Sequence, residues 1–377
     1  MLKIGKIYRK QMGDQSRLCA DISLNGRSTT LWFGVDVQHE IYLCEERSDA
    51  FVMALLPAAM RSGYEIVCQT PMSERLHYQL SNYLIPTLCD AGDLYHPVKI
   101  TAPLTAERIV NQGGIGTGFS GGVDCLYTIM THGKTSVYPL THLAVFNVGV
   151  FEGPAYREAF RKSCRNALPF AEEMGLELVC LDSNISKVLP ERFLDVYSFR
   201  NLAGAMALQG LFSRYLLSSG HDMANFVIDF RNSATYDPLT VHCAQTENLS
   251  ISLSGCQVQR NQKLAALSNW PMAFNWLHPC FCGHVGEKNC GHCKKCILDM
   301  TTLYALGTLE KFEAVFDIAA FKAALPLRIG FVLANEGNHW YDETLNLLRQ
   351  AENKIPPSAY IFAKQFRKAL EKQEEKI

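Results

Sequence analysis

Long hydrophobic runs are missing from this 377-residue chain. No apolar stretch approaches the roughly 18 residues that a membrane-spanning helix needs, so no membrane partner is expected. The start, LKIGKIYRK after Met1, alternates rather than forming the apolar core of a signal peptide, which leads to the expectation of a soluble, cytoplasmic protein. Charge of one sign is lacking as well: 36 Lys+Arg stand against 37 Asp+Glu, a formal net charge of −1. Such a balance gives no whole-chain attraction to nucleic acid or to an anionic membrane. A large nucleic-acid footprint is therefore not expected, although a local basic patch is still allowed. Internal repeats and low-complexity segments are absent too.

What the chain does have is enough apolar content, 48%, to bury two cores of ordinary size. Composition and period divide it into an α+β accessory region over 1–105, an α/β region over 106–255 and a cysteine-bearing, mostly helical region over 256–377. Cysteine is plentiful, with fourteen residues. Cys19, Cys44, Cys68, Cys89, Cys125, Cys164, Cys180, Cys243 and Cys256 are scattered through apolar or irregular contexts, and the remaining five crowd between Cys280 and Cys296. Scatter points to buried free thiols in a reducing compartment, and crowding points to a metal.

The first hundred residues carry strand-like runs, LKIGKIY, RLCADISL and TTLWFGV, separated by turn residues. Ser48 is placed to cap a helix over Ala50 to Met60, with Gly63 as its stop. A strand YEIVCQ, a Ser73-capped helix and a strand HPVKIT follow. No convergent acids, bases or ligands appear here, so the region reads as a scaffold or a module for a protein partner. Beyond Ile115 the pattern alternates: strand His142 to Gly149, helix from about Pro154 to Met174, strand Glu177 to Ser183, helix Asn201 to Ser218, strand Asn225 to Phe230. Near-continuous apolar strands with crossover helices predict a doubly wound parallel sheet. A polar, irregular stretch runs on to Gly255, then come the helical run QRNQKLAAL, the cysteines, a helix from Ile297 through Phe312 and a charged tail, LEKQEEKI.

The glycine-dense stretch Gly114 to Cys125, GIGTGFSGGVDC, precedes an apolar helical pattern. A glycine turn entering a helix leaves backbone N–H groups at the helix mouth, where the dipole favours an anion, so phosphate binding is the natural reading. Gly116 to Gly121 fits G-x-G-x-x-G, but the acid that a dinucleotide site wants about 20 residues later is absent at Phe146-Asn147. No lysine follows Gly122, which excludes a Walker loop.

The cysteine cluster, Cys280-Phe-Cys282 followed by Cys290-Gly-His-Cys293-Lys-Lys-Cys296, contains two C-x-x-C steps that share Cys293. Three thiolates on one tight turn plus an upstream ligand make a structural Zn2+ site, with an iron–sulfur cluster as the weaker alternative. Spacing leaves the fourth ligand open among Cys280, Cys282, His278, His284 and His292.

Ser120-Gly121-Gly122-Val123-Asp124-Cys125 resembles the S-G-G-x-D-[ST] PP-loop of the ATP pyrophosphatase superfamily, whose fold is of the adenine nucleotide α-hydrolase type. The resemblance implies ATP bound along Gly118, Phe119, Ser120, Gly121 and Gly122. Mg2+ is expected at Asp124, and cleavage between the α and β phosphates would adenylate a substrate oxygen. Cys125 stands where the family has Ser or Thr, and a thiol is a poor hydrogen-bond donor. SFRNLAGAMAL (Ser198 to Leu208) resembles a segment of the 7-cyano-7-deazaguanine synthase branch, which would put Arg200 at a helix N-terminus facing nucleotide or substrate. Arg260 and Lys263, three apart and so on one helical face, sit where related enzymes place a basic residue on the phosphates. Phe146 and Asn147 would lie nearer the adenine. HPCF...NCGHCKKC resembles the zinc knuckle of the same branch, which places Cys280 with Cys290, Cys293 and Cys296. The likeness spans Ile115 to Phe312 and leaves out both ends.

The expected function is therefore an AMP- and pyrophosphate-forming, ATP-dependent ligase-type enzyme using Ser120, Asp124, Arg200 and Arg260. Its substrate would be the carboxylate or amide oxygen of a small molecule or modified base, attacked by ammonia or a sulfur donor. Two alternatives stay open: sulfur transfer to a nucleobase or tRNA through a persulfide on Cys125 or Cys256, and a non-catalytic ATP-binding module.

Overall fold

The computed structural model describes residues 1–374 except 25, 152, 154, 352 and 353. The chain forms two compact units, one of residues 1–118 and 132–256, the other of 119–131 and 257–377.

The first unit is built on a ten-stranded sheet. In chain order the strands are β1 (Leu2–Met12), β2 (Gln15–Leu24), β3 (Arg27–Asp36), β4 (Ile66–Cys68), β5 (Met72–Ser73), β6 (Ile100–Thr101), β7 (Leu104–Thr105), β8 (Gly114–Gly118), β9 (His142–Phe146), β10 (Glu177–Ser183), β11 (Phe212–Ser218) and β12 (Ser250–Ser254). The large sheet has the order β12-β11-β8-β9-β10-β3-β2-β1-β4-β6, and β5 pairs with β7 separately. Its strands from β12 to β10 are parallel throughout. The sheet is thus mixed and mostly parallel. The N-terminal strands do not make a sheet of their own, because β3 pairs antiparallel with β10.

Local chemistry accounts for the two halves. In β1, Leu2, Ile4 and Ile7 are buried, and a register irregularity between Ile4 and Ile7 supplies the extra residue that lets both isoleucines face inward. β9, HLAVF, is buried at every position, as a strand covered on both faces must be. The helix Asp49–Ser62 ends on Gly63 at φ 63°, and it packs against the helix Phe193–Ala207. A buried polar chain joins these parts. Asp49 accepts hydrogen bonds from the Ser73 N–H at 2.9 Å and the Gln209 amide at 3.0 Å, and the Thr246 hydroxyl donates to Gln209 at 2.7 Å.

Several elements depart from expectation. The predicted helix Asn201 to Ser218 is in fact the end of the helix Phe193–Ala207 followed by β11. The chain turns at Gly210, where a Cβ would lie 2.9 Å from two backbone carbonyls, and FSRYLLS then pairs with β8 and β12 as a strand, with Phe212 and Tyr215 as aromatics that a strand accommodates. Arg200 is accordingly inside a helix, not at its N-terminus. The expected strand Asn225 to Phe230 is a short 3-10 turn, Met223–Asn225, followed by irregular chain, with Phe226 and Val227 exposed. The strand is instead β12, inside the stretch read as irregular; its polar residues suit a sheet edge. The helix expected from about Pro154 is seen over Tyr156–Met174, Pro154 being outside the described residues. No described helix is long and apolar enough to cross a membrane.

The second unit is helical. Ile297, Leu298, Ile329, Val332, Leu333, Leu345 and Leu348 form a core among the helices Lys294–Leu306, Leu325–Ala334 and His339–Gln350. The helix from Ile297 is present but starts earlier and ends at Leu306. The helix Pro357–Glu374 carries part of the charged tail; residues 375–377 are outside the described residues.

Asp237, in the first unit, is fully buried and accepts a hydrogen bond from the Ser198 hydroxyl, and burial pushes its carboxyl up to about 7. The folded state then holds the proton more tightly than the unfolded chain, whose carboxyl titrates near 4. Stability is therefore lost as pH rises from about 4 through about 7. Asp237→Asn keeps the acceptor for Ser198 and is expected to exceed the wild type at pH 8 by on the order of 1–4 kcal/mol, with the gap closing toward pH 4. Denaturant unfolding at several pH values measures this, and a gap independent of pH would contradict it.

Candidate functional site

The second unit brings together most of the residues singled out in the sequence. β8 ends at Gly118, and residues 119–122 turn the chain into the helix Val123–Thr131. The eye-catching GTG is thus strand, and the turn proper is Phe119 to Gly122. Gly121 has φ 70°, and a Cβ there would lie 2.8 Å from Val285 Cγ2 and 3.0 Å from His278 Cβ. The His278 N–H also donates to the Gly121 carbonyl at 2.7 Å. The turn is therefore pinned to the segment that leads into the cysteines, at a position only glycine fills without strain.

Inside the turn, Ser120 Oγ accepts from the Gly122 N–H at 3.4 Å and lies 3.6 Å from Cys125 Sγ. The Cys125 thiol donates to the Gly122 carbonyl at 3.3 Å. It is buried, and burial raises its pKa despite the Ser120 contacts. Cys125 is a protonated loop brace, the form in which a cysteine is a poor nucleophile.

Asp124 lies in the first turn of its helix and meets two cations from the helix Arg260–Leu267. Its Oδ1 is 2.9 Å from Lys263 Nζ and its Oδ2 is 3.2 Å from Arg260 Nη1. That helix begins with a capping box of Gln259 and Gln262, which fixes its start and sets both cations on one face. Arg260 also makes a two-pronged pair with Asp299, Nε to Oδ1 at 3.0 Å and Nη2 to Oδ2 at 2.9 Å. Glu343 Oε2 accepts from the Asn261 N–H at 3.1 Å. Burial works against the charge on Asp124, but Lys263 and Arg260 outweigh it and hold the carboxyl below its ordinary range. Burial also works against Arg260, and Asp299 and Asp124 more than compensate, so its pKa rises. Lys263 and Asp299 are 2% and 0% exposed, so losing either partner would leave a buried charge unpaired, at a cost of about 3–5 kcal/mol.

The sequence did not point to Asp299 or Glu343. A signal was present for Asp299: ILDMTTL places one carboxylate in an apolar helical run, which calls for a buried partner.

Cys280, Cys290, Cys293 and Cys296 have their sulfur atoms all within 4.8 Å of one another. Cys290 and Cys296 Sγ are 3.9 Å apart, close to the roughly 3.8 Å edge of a tetrahedron with 2.3 Å zinc–sulfur bonds. Cys282 is exposed and outside the group. N–H groups of Cys282 and Cys290 approach Cys280 Sγ at 3.2 and 3.5 Å, and that of Cys293 approaches Cys290 Sγ at 3.3 Å, contacts that favour thiolates. Burial opposes ionisation of Cys290, but backbone donors from His292 and Cys293 bring its pKa down to about 6. The donor set can hold a metal ion such as zinc.

Comparison with protein-family models, with curated proteins and with solved structures finds no match to this chain.

The other expected site residues are in the first unit, where Gly118 is the last residue of β8. Phe146 is buried, stacked on Tyr215 with centroids 5.7 Å apart. Asn147 donates to Asp182 Oδ1 at 2.6 Å. Arg200 is 1% exposed and donates to the carbonyls of Leu189 at 3.0 Å and Glu191 at 3.3 Å, beside the Glu191 carboxylate.

Two outcomes follow from this geometry. Metal analysis of purified protein is expected to find about one zinc per chain, lost in Cys290→Ser and Cys296→Ser but kept in Cys282→Ser. Equal loss in Cys282→Ser would refute the four-thiolate set. Gly121→Ala is expected to lower stability by about 1–3 kcal/mol in thermal melts, through its positive φ and the contact with Val285.

Proposed function

We propose that the second unit binds a polyphosphate, and that the protein is an ATP-dependent enzyme releasing AMP and pyrophosphate. One observation carries the reading: Lys263 and Arg260 converge on the helix start that follows the Ser120–Gly122 turn, although more than a hundred residues separate them from it in sequence. Two cations, a glycine turn and a helix N-terminus at one place suit a group with several anionic oxygens.

In this reading Ser120 and the turn's backbone hold the leaving pyrophosphate, while Lys263 and Arg260 balance the charge that develops on it. Asp124 is suited to Mg2+, which when bound would screen the phosphate oxygens. The chain's own part is positioning and electrostatic stabilisation. Gly121, pinned by His278 and Val285, keeps the turn in register, and Asp299 keeps Arg260 aimed. The substrate would be a small acid, amide or modified base whose oxygen attacks the α phosphate, with ammonia or a sulfur donor as nucleophile. The buried, protonated Cys125 gives no support to a persulfide carrier at that position.

Incubation with ATP, Mg2+ and a panel of acids, with ammonia as nucleophile, is expected to release AMP and pyrophosphate. ADP and phosphate instead would overturn the proposal. Arg260→Ala is expected to lower kcat by about 100-fold, whereas Cys125→Ser retains or raises activity, an outcome that a persulfide carrier would not survive.

A further inference from the structure

The two carboxylates on Arg260 are not equivalent. Asp299 takes the Nε and Nη2 donors, is completely buried and sits on the helix Lys294–Leu306 among core residues. Asp124 takes only Nη1, together with Lys263 Nζ, and its side chain is 24% exposed at the mouth of the glycine turn. Both Asp124 oxygens are therefore spent on cations, each being within 3.2 Å of one. A carboxylate so paired is a weakened ligand for a divalent cation, and the two cations are weakened as phosphate donors.

We infer that Asp124 is an exchangeable counter-ion resident in the anion site. An incoming polyphosphate replaces it on Lys263 and on the Nη1 edge of Arg260, Asp299 holds Arg260 in place throughout, and the released Asp124 becomes available to a divalent cation. This rests on the polyphosphate reading and adds to it a coupling: anion and divalent cation each favour the other's binding, by the same factor. Without a divalent cation, Asp124 competes with the anion.

Calorimetric titration of inorganic pyrophosphate into the 377-residue chain, purified with zinc supplied, in Mg2+-free buffer tests this. Asp124→Asn is expected to bind pyrophosphate about tenfold more tightly than the wild type, since weakening the charge-assisted pairs with Lys263 and Arg260 removes the internal competitor. Asp124→Ala is expected to show the same sign and serves if the amide variant folds poorly. The wild type offers a check without any variant: sulfate, which chelates Mg2+ weakly, is expected to tighten Mg2+ binding. Variants that bind pyrophosphate no better than the wild type, or sulfate that leaves Mg2+ affinity unchanged, overturn the coupling while wild-type pyrophosphate binding keeps the polyphosphate reading. Failure of every form to bind pyrophosphate overturns both.

Discussion

A buried negative charge on Asp299 is the constraint on which the helical unit depends. Placed among Ile297, Leu298 and Met300 with no solvent contact, it is tolerable only with a partner that answers both oxygens, and Arg260 does so through its planar fork. Once Arg260 is held this way, one edge of its guanidinium is left pointing at Asp124, and Lys263, one turn further along, reaches the same carboxylate. The glycine turn, the helix after it and the helix Arg260–Leu267 are thus tied together by charge rather than by apolar packing alone.

The same helix that carries Asp299 carries Cys296, three residues earlier and hence on the same face. The four-thiolate group, which can hold a metal ion, and the aim of Arg260 share one rigid element. The segment between, from Trp276 to Val285, is pressed against Gly121, and Asn289 ties the knuckle to the Leu277 and Val315 carbonyls at 2.9 and 3.0 Å. A metal ion held by the four thiolates in such surroundings would act on the glycine turn by fixing backbone.

In the sheet-bearing unit, elements with a strong local signal are legible: the strand-like runs bounded by turn residues that form β1 to β3, the Gly63 stop, the continuous apolar β9. Those whose identity depended on neighbours were not. FSRYLLS reads equally as helix or strand, and only its pairing with β8 on one side and β12 on the other makes it a strand. β12 is polar because it lies at the sheet edge, a position that no local pattern announces. The local pattern puts a helix start at Asn201 and Arg200 beside it, whereas the helix begins at Phe193 and buries Arg200.

By itself the sequence determined the glycine turn, the cysteine spacing that a metal requires and the common face of Arg260 and Lys263, since each follows from short-range geometry: a positive φ, a three-residue cysteine step, a three-residue helical offset. Only the tertiary structure decided that Cys280 rather than Cys282 completes the thiolate group, that Asp124 is held by both cations, and that Asp299 and Glu343 belong to the same network. These are contacts between residues up to 139 positions apart, and which buried charges meet is settled by how helices pack, something local spacing does not encode.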